Sequence, residues 1–232
     1  MGLLRFLSKI NSGLKDLEYF LTEKKARYFI AKNKRKHGNQ QDLDIYWDPS
    51  FLEGVKTWGL GTAWTEIQLF LAGCEGRVLD IGCGTGAVMS LLRKNEKINL
   101  HGCDISDFLI TEAVNSGIPQ SMLTVCDATK MPFTNNEFNF SYSIGTLEHF
   151  TEKGIVECLN EVYRVTRRVS FHQVPVTING EDDGWIIDNQ SYYNNSVNWW
   201  LEKFKYVYDN VYVFDSVWRG SIHVGKWFVC IK

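Results

Sequence analysis

No C-x-x-C pair occurs among the six cysteines, which stand far apart at Cys74, Cys83, Cys103, Cys126, Cys158 and Cys230. That spacing disfavours a structural zinc site, so no metal is expected. It also fails to make a disulfide scaffold in a chain of this length, and free thiols in a reducing, cytoplasmic setting are the expectation. No apolar run reaches the roughly 18 residues of a membrane-crossing helix. Arg5, Lys9 and Lys15 interrupt the first turns too often for a secretory signal. Gly2 is followed by Phe6 where N-myristoylation wants Ser or Thr. A strong excess of one charge is lacking too: the net charge of −2 gives no global pull toward nucleic acid.

What is present reads as globular. Hydrophobic residues make up 44% and charged residues 22% of 232, enough for one sizeable core with a small appendage. The charge is uneven: residues 1–40 carry ten Lys/Arg against three Asp/Glu, and the remainder is acidic. Within that arm Leu3, Leu7, Ile10, Leu14, Leu17 and Leu21 recur at helical spacing. Residues 1–40 are therefore expected to form a basic amphipathic helical arm. Its seam, over residues 1–36, should pack on its own domain, pair with a second copy as a homodimer, or lie on an anionic membrane.

From residue 41 onward, after an irregular stretch and a helix near Gly61–Leu71, short apolar runs alternate with amphipathic segments. RVLDIG, NLHGCDIS, SMLTVCDA, FNFSYSIG and RVSFHQVPV read as buried strands. Gly86–Lys94, Phe108–Ser116 and Thr151–Val165 read as helices between them. Continuous apolar strands separated by helices imply an α/β fold with a parallel sheet. Near the C-terminus a short helix around Trp199–Phe204 precedes VYVFDSVW and KWFVCIK, close enough to pair antiparallel.

The sharpest feature is Val78-Leu79-Asp80-Ile81-Gly82-Cys83-Gly84-Thr85-Gly86. A strand ends in a glycine turn that lets backbone approach a ligand, and a helix N-terminus follows. The spacing is G-x-G-x-G, not the G-x-G-x-x-G of a dinucleotide loop. Asp80, two residues before the first glycine, is poorly placed for a phosphate and well placed for an ammonium group. Asp104 closes the next strand and can accept both hydroxyl protons of a ribose. Asp127 and Ala128 end the third and can offer a carboxylate and a backbone N–H to an adenine edge. Each acid alone could be a helix cap; three at consecutive strand ends point to a nucleoside.

Together VLDIGCGTG, HGCDIS, VCDATKMPF and FNFSYSIGTLEHF resemble the class I S-adenosylmethionine-dependent methyltransferases over roughly residues 76–175. The resemblance implies a Rossmann-like, seven-stranded, mostly parallel sheet with an antiparallel C-terminal strand pair and helices on both faces. It implies S-adenosyl-L-methionine as cofactor, with Asp80, Gly82, Cys83, Gly84 and Gly86 at its methionine end. Asp104 with Ile105 would bind the ribose, Asp127 and Ala128 the adenine, and Ile144 would pass under the methionyl group. The resemblance fades after Arg164.

Methyl transfer needs position and sometimes a base. His149, with Glu148 beside it, follows the fourth strand and is the candidate base. The same string resembles the cyclopropane fatty acid synthases, in which a Glu-His pair helps hold bicarbonate. His172 and His101 suit packing better. Trp185, Tyr192, Tyr193, Trp199 and Trp200 could wall an acceptor pocket within residues 177–205, or be core. The DNA amino-methyltransferase signature is absent. The expected reaction is methyl transfer to oxygen or nitrogen of a small-molecule acceptor, with no nucleic acid partner. The alternatives are carbon methylation of a lipid at a membrane and a non-catalytic cofactor-binding protein.

Overall fold

The computed structural model describes Leu21 and residues 43–61, 63–188 and 190–232. The expected arm and its pairing or membrane contact therefore lie outside the described residues, apart from Leu21.

The strands are β1 (Gly76–Ile81), β2 (Ile98–Asp104), β3 (Leu123–Val125), β4 (Phe138–Ile144), β5 (Thr166–Thr177), β6 (Gly184–Ile186), β7 (Tyr192–Asn194), β8 (Asn210–Arg219) and β9 (His223–Ile231). The helices are α1 (Leu52–Val55), α2 (Trp64–Leu71), α3 (Ala87–Leu92), α4 (Asp107–Asn115), α5 (Glu152–Val165) and α6 (Val197–Lys205). Seven strands form one sheet in the order β3-β2-β1-β4-β5-β9-β8. The first five run parallel, and β9 runs antiparallel to both β5 and β8. This is the parallel α/β sheet that the apolar runs imply, in the Rossmann-like, seven-stranded form that the resemblance implies, with its antiparallel pair at the C-terminus.

The central strand shows why the runs are continuous. Val78 faces a core made with α2, α3 and α4, whereas Leu79 and Ile81 face a second core made with α5 and α6. Both faces are covered, so neither needs polar residues. Helix α5 begins at a Thr151 side chain that accepts from Gly154 N, and its Ile155, Leu159, Val162 and Val165 are fully buried along one stripe. Ser106 and Ser196 cap α4 and α6 in the same way.

One side chain ties the early and late parts together. Glu66, on α2, accepts from Trp227 Nε1 at 2.8 Å, Ser216 Oγ at 2.7 Å and Val217 N at 2.8 Å. Those donors lie on β9 and β8, so α2 is fixed to the antiparallel edge of the sheet.

Two local expectations differ. The third strand ends at Val125, which sets Asp127 two residues beyond it in a turn. Residues 177–195, to which the sequence reading assigned no strand, hold a separate two-stranded sheet in which Trp185 opposes Tyr193. Strands of three residues are too short for an alternating pattern to register. Among the described residues no helix is long and apolar enough to cross a membrane.

Candidate active site

A cavity of about 380 Å³ opens at the carboxyl ends of β1, β2 and β4. In open α/β sheets this is where ligands sit. Gly82, Gly84, Asp104, Ile105, Asp127, Ala128, Ile144 and His149 all line it, and Asp80 and Cys83 line a smaller pocket that shares Gly82, Gly84 and Ile144. The structure thus brings most of the expected residues to one place.

Gly84 has φ +53°, and a Cβ built on it would come 2.9 Å from Val55 Cγ1. The loop is a cradle that a side chain would fill. Gly86 lines neither space. Its φ of +69° starts α3, and a Cβ there would lie 2.0 Å from Ile118 Cδ1, so its glycine serves the turn and its packing.

Asp104 is 8% exposed. Its Oδ2 accepts from Gly84 N at 2.8 Å and its Oδ1 from Ser106 N at 3.0 Å. These bonds fix the carboxylate and leave each oxygen a second acceptor position. Burial pushes its pKa up, opposed by the backbone N–H groups of Ser106, Gly84 and Ile105. Asp127 is exposed, and its Oδ1 accepts from both the N–H and the hydroxyl of Thr129 at 2.8 Å. Neither acid caps a helix, since Ser106 caps α4 and Asp127 holds a turn, and both line the cavity.

Asp80 is buried, with the Tyr142 hydroxyl donating to its Oδ2 at 2.7 Å. Burial raises its pKa to about 7, against the Tyr142 hydrogen bond and with help from the Asp104 charge. An acid held this way is stabilised in its charged form by any cation that arrives.

His149 sits on the turn after β4, where its Nδ1–H donates to Ser191 O at 2.8 Å. That bond leaves the lone pair on Nε2. Burial lowers its pKa to about 4, partly offset by the Ser191 carbonyl. Glu148 lies behind it, 1% exposed, with Oε1 3.8 Å from His149 Nε2 and Oε2 without a hydrogen-bond partner. Burial raises the Glu148 pKa to about 8.

The other candidates are structural. His172 is fully buried, with Nδ1 2.8 Å from Ser143 Oγ, and burial lowers its pKa to about 3. His101 Nε2 lies 2.8 Å from Thr124 Oγ1. Trp200 donates from Nε1 to Pro175 O at 3.2 Å within the core, and Trp185 packs edge-on against Tyr193. Of the described residues in 177–205, Gln190 lines the cavity.

The roof comes from a segment that the sequence reading left as irregular. Leu43, Tyr46, Phe51, Val55 and Trp58 close the cavity from above. Trp47 Nε1 donates to Asp107 Oδ1 at 2.7 Å, and Ser106 Oγ donates to Tyr46 O at 2.7 Å. Gln190 Nε2 donates to the Tyr46 hydroxyl at 3.1 Å. Only the density of aromatic residues in this stretch hinted at it.

Residues 78–168 match the family described as a methyltransferase domain. The mouse protein named probable tRNA methyltransferase 9B is 34% identical over 106 residues, which cover 44% of this chain and 22% of that protein. The ubiquinone/menaquinone biosynthesis C-methyltransferase of Desulfotalea psychrophila is 31% identical over 120 residues, 49% of this chain and 47% of that one. The chain thus spans from about a fifth to about half the length of these curated relatives. A phosphoethanolamine N-methyltransferase 2 of Haemonchus contortus, solved with phosphomonomethylethanolamine and S-adenosylhomocysteine, superposes with a TM-score of 0.63 at 14% identity, covering 82% of this chain and 60% of that one.

Proposed function

We propose that the chain, whose residues 78–168 match a methyltransferase domain, binds S-adenosyl-L-methionine at the glycine loop as a class I methyltransferase and transfers the methyl group to oxygen or nitrogen of a small-molecule acceptor. One observation carries this reading. Gly82 and Gly84, Asp104, and Asp127 with Ala128 follow three successive strands of the chain and line one cavity.

The residues present fit that cofactor. The space before Gly84 is one a Cβ would narrow. The backbone of Gly82, Cys83 and Gly84, with the buried Asp80 carboxyl beneath, would hold the cationic methionine end. Asp104, fixed by Gly84 and Ser106, would accept the ribose hydroxyls, with Ile105 beside it. Asp127 and Ala128 would face the adenine, and Ile144 would lie under the methionyl chain. When bound, the cofactor supplies a sulfonium methyl open to in-line attack.

The chain's own contribution is positioning and exclusion of water. Tyr46, Phe51 and Trp58 line one wall of the cavity and would shield a bound ligand from part of the solvent. His149, held neutral, stands in the cavity wall beside where an acceptor O–H or N–H would lie. At a pKa of about 4 it orients that proton and does not remove it before attack. Glu148 backs the imidazole from the interior, outside the cavity lining. That placement favours oxygen or nitrogen chemistry over carbon methylation with a bicarbonate held by Glu148.

Calorimetry of S-adenosylhomocysteine binding tests the reading. Wild type should bind, and Gly84→Val, which puts a branched side chain into the cradle, should not. Equal affinity in the two proteins overturns it.

A further inference from the structure

We infer that the acceptor carries no phosphate or carboxylate group and is an amine or a neutral hydroxyl compound, seated under Tyr46, Phe51 and Trp58. The inference rests on the methyl-transfer reading above and names the substrate class for that site.

The first ground is the charge of the wall. No described residue lining the cavity is Lys or Arg, whereas Asp104, Asp127 and Glu157 bring carboxylates to it. Two cations in the flanking segments are engaged in ion pairs. Lys56 pairs with Glu53 at 2.8 Å, and Lys153 pairs with Glu157 at 3.1 Å. Asp104 has no cation among its hydrogen-bond partners; both of its oxygens accept from backbone N–H groups. An anion entering here meets the carboxylates of Asp104 and Asp127 with no cation among the described lining residues, which costs affinity and suppresses wrong partners.

The second ground is that the two longer helices whose N-termini border the cavity, α4 and α5, both carry side-chain caps. A helix N-terminus is the usual substitute for a basic side chain in binding phosphate. At α5, Thr151 Oγ1 takes the N–H of Gly154, its carbonyl takes that of Ile155, and Glu152 stands in the first turn. At α4, Ser106 Oγ takes the N–H of Leu109, and Asp107 stands in the first turn, bound to Trp47. Both ends are capped and carry an acid where an anion would dock.

The third ground is what the roof does offer. Tyr46, Phe51 and Trp58 present ring faces and edges suited to an apolar body or an ammonium group. Gln190, tied to the Tyr46 hydroxyl, and His149 supply neutral polar atoms at the same end. A phosphorylated amine or a nucleic acid backbone finds no partner in this set.

The test uses the full chain, so that the basic residues before Leu43 are present. The protein is incubated with deuteromethyl-labelled S-adenosylmethionine and, separately, the small-molecule, lipid and RNA fractions of the source cell. Products are identified by their mass shift and sorted on a strong anion exchanger at pH 8. The labelled product is expected in the unretained fraction. A retained product, whether phosphate ester, carboxylate or RNA, overturns this inference and leaves methyl transfer standing. No labelled product in any fraction overturns the transfer reading and this one with it. Gln190→Lys then places a cation in the wall, with Gln190→Met as the control for the lost Tyr46 bond. The lysine variant should raise the KM of an amine acceptor at least tenfold over the control and, for an amine or a hydroxyl acceptor alike, make a carboxylated analogue of the acceptor an inhibitor. Unchanged KM and no inhibition would overturn the electrostatic basis of the inference.

Discussion

Trp58 Nε1 donates to the carbonyl of Ile144 across 3.2 Å, joining the roof of the cavity to the carboxyl end of β4. The two residues are 86 positions apart in the chain, and the bond holds the indole over the strand end where the methyl acceptor is proposed to sit. Trp58 also meets Trp218 edge-on, with ring centroids 5.2 Å apart, so its orientation is fixed from two sides.

Trp58→Phe keeps an aromatic ring and removes the donor. The bond lies within the protein, so its loss, about 1 kcal/mol, falls on stability. The melting temperature should drop by about 2–4 °C. An unchanged melting temperature would show that the bond does not secure the roof.

Asp80 has a pKa of about 7 in the free protein. A cationic ligand beside it favours the carboxylate and lowers that value, so binding at pH 7 should release a proton, on the order of half an equivalent. Binding enthalpies measured in two buffers of different ionisation heat give the number directly. The release should vanish in Asp80→Asn and fade toward pH 9. Proton uptake on binding would contradict the placement of the cationic end.

Glu148 gives a stability signature. Its folded pKa of about 8 lies above the ordinary carboxylate value, so the folded state holds more protons between about 4.5 and 8. Its contribution is full below that window and is lost as the pH rises through it. Glu148→Gln should therefore gain on wild type with rising pH, on the order of a few kcal/mol between pH 5 and 9. Urea midpoints for the two proteins across that range check it. A constant difference would mean that the carboxyl is already paired or hydrated.

His149 should be silent in the ordinary imidazole range. With a pKa of about 4, it is neutral throughout pH 6–8, so turnover should show no limb from it there. His149→Gln should lower kcat/KM by roughly 10- to 100-fold through lost orientation of the acceptor, with cofactor affinity within twofold. Steady-state rates from pH 5 to 9 decide the matter. A wild-type limb near pH 6.5 that disappears in the variant would make His149 a base in the complex.

Much of this was legible in the sequence because the strong signals are local. Continuous apolar runs such as RVLDIG register a strand covered on both faces, and the glycine string marks the turn after it. Asp104 could be placed because an acid closing a strand has little freedom once the sheet is fixed. Gly86 was legible as a glycine but not as packing, since Ile118, the residue it must clear, is brought near only by the fold. The roof was illegible for a stronger reason. Tyr46, Phe51 and Trp58 lie on short turns with no period, held by Ser106, Asp107, Ile144 and Gln190, partners that sequence spacing cannot reveal. His149 was found by position, while its low pKa follows from a depth of burial that only the assembled turn creates.

The carboxylate of Glu66 gives the fold a timetable. Its donors Ser216, Val217 and Trp227 stand 150, 151 and 161 positions later, so α2 cannot be secured until β9 has left the ribosome. Helix α2 follows the roof segment almost directly, and Trp58 leans on Trp218 of the same late strands. During synthesis the parallel half of the sheet can form first, with the glycine loop and Asp104 already in place but uncovered. A nascent chain would thus have the floor of its cavity before α2 and the Trp58 ring are fully secured.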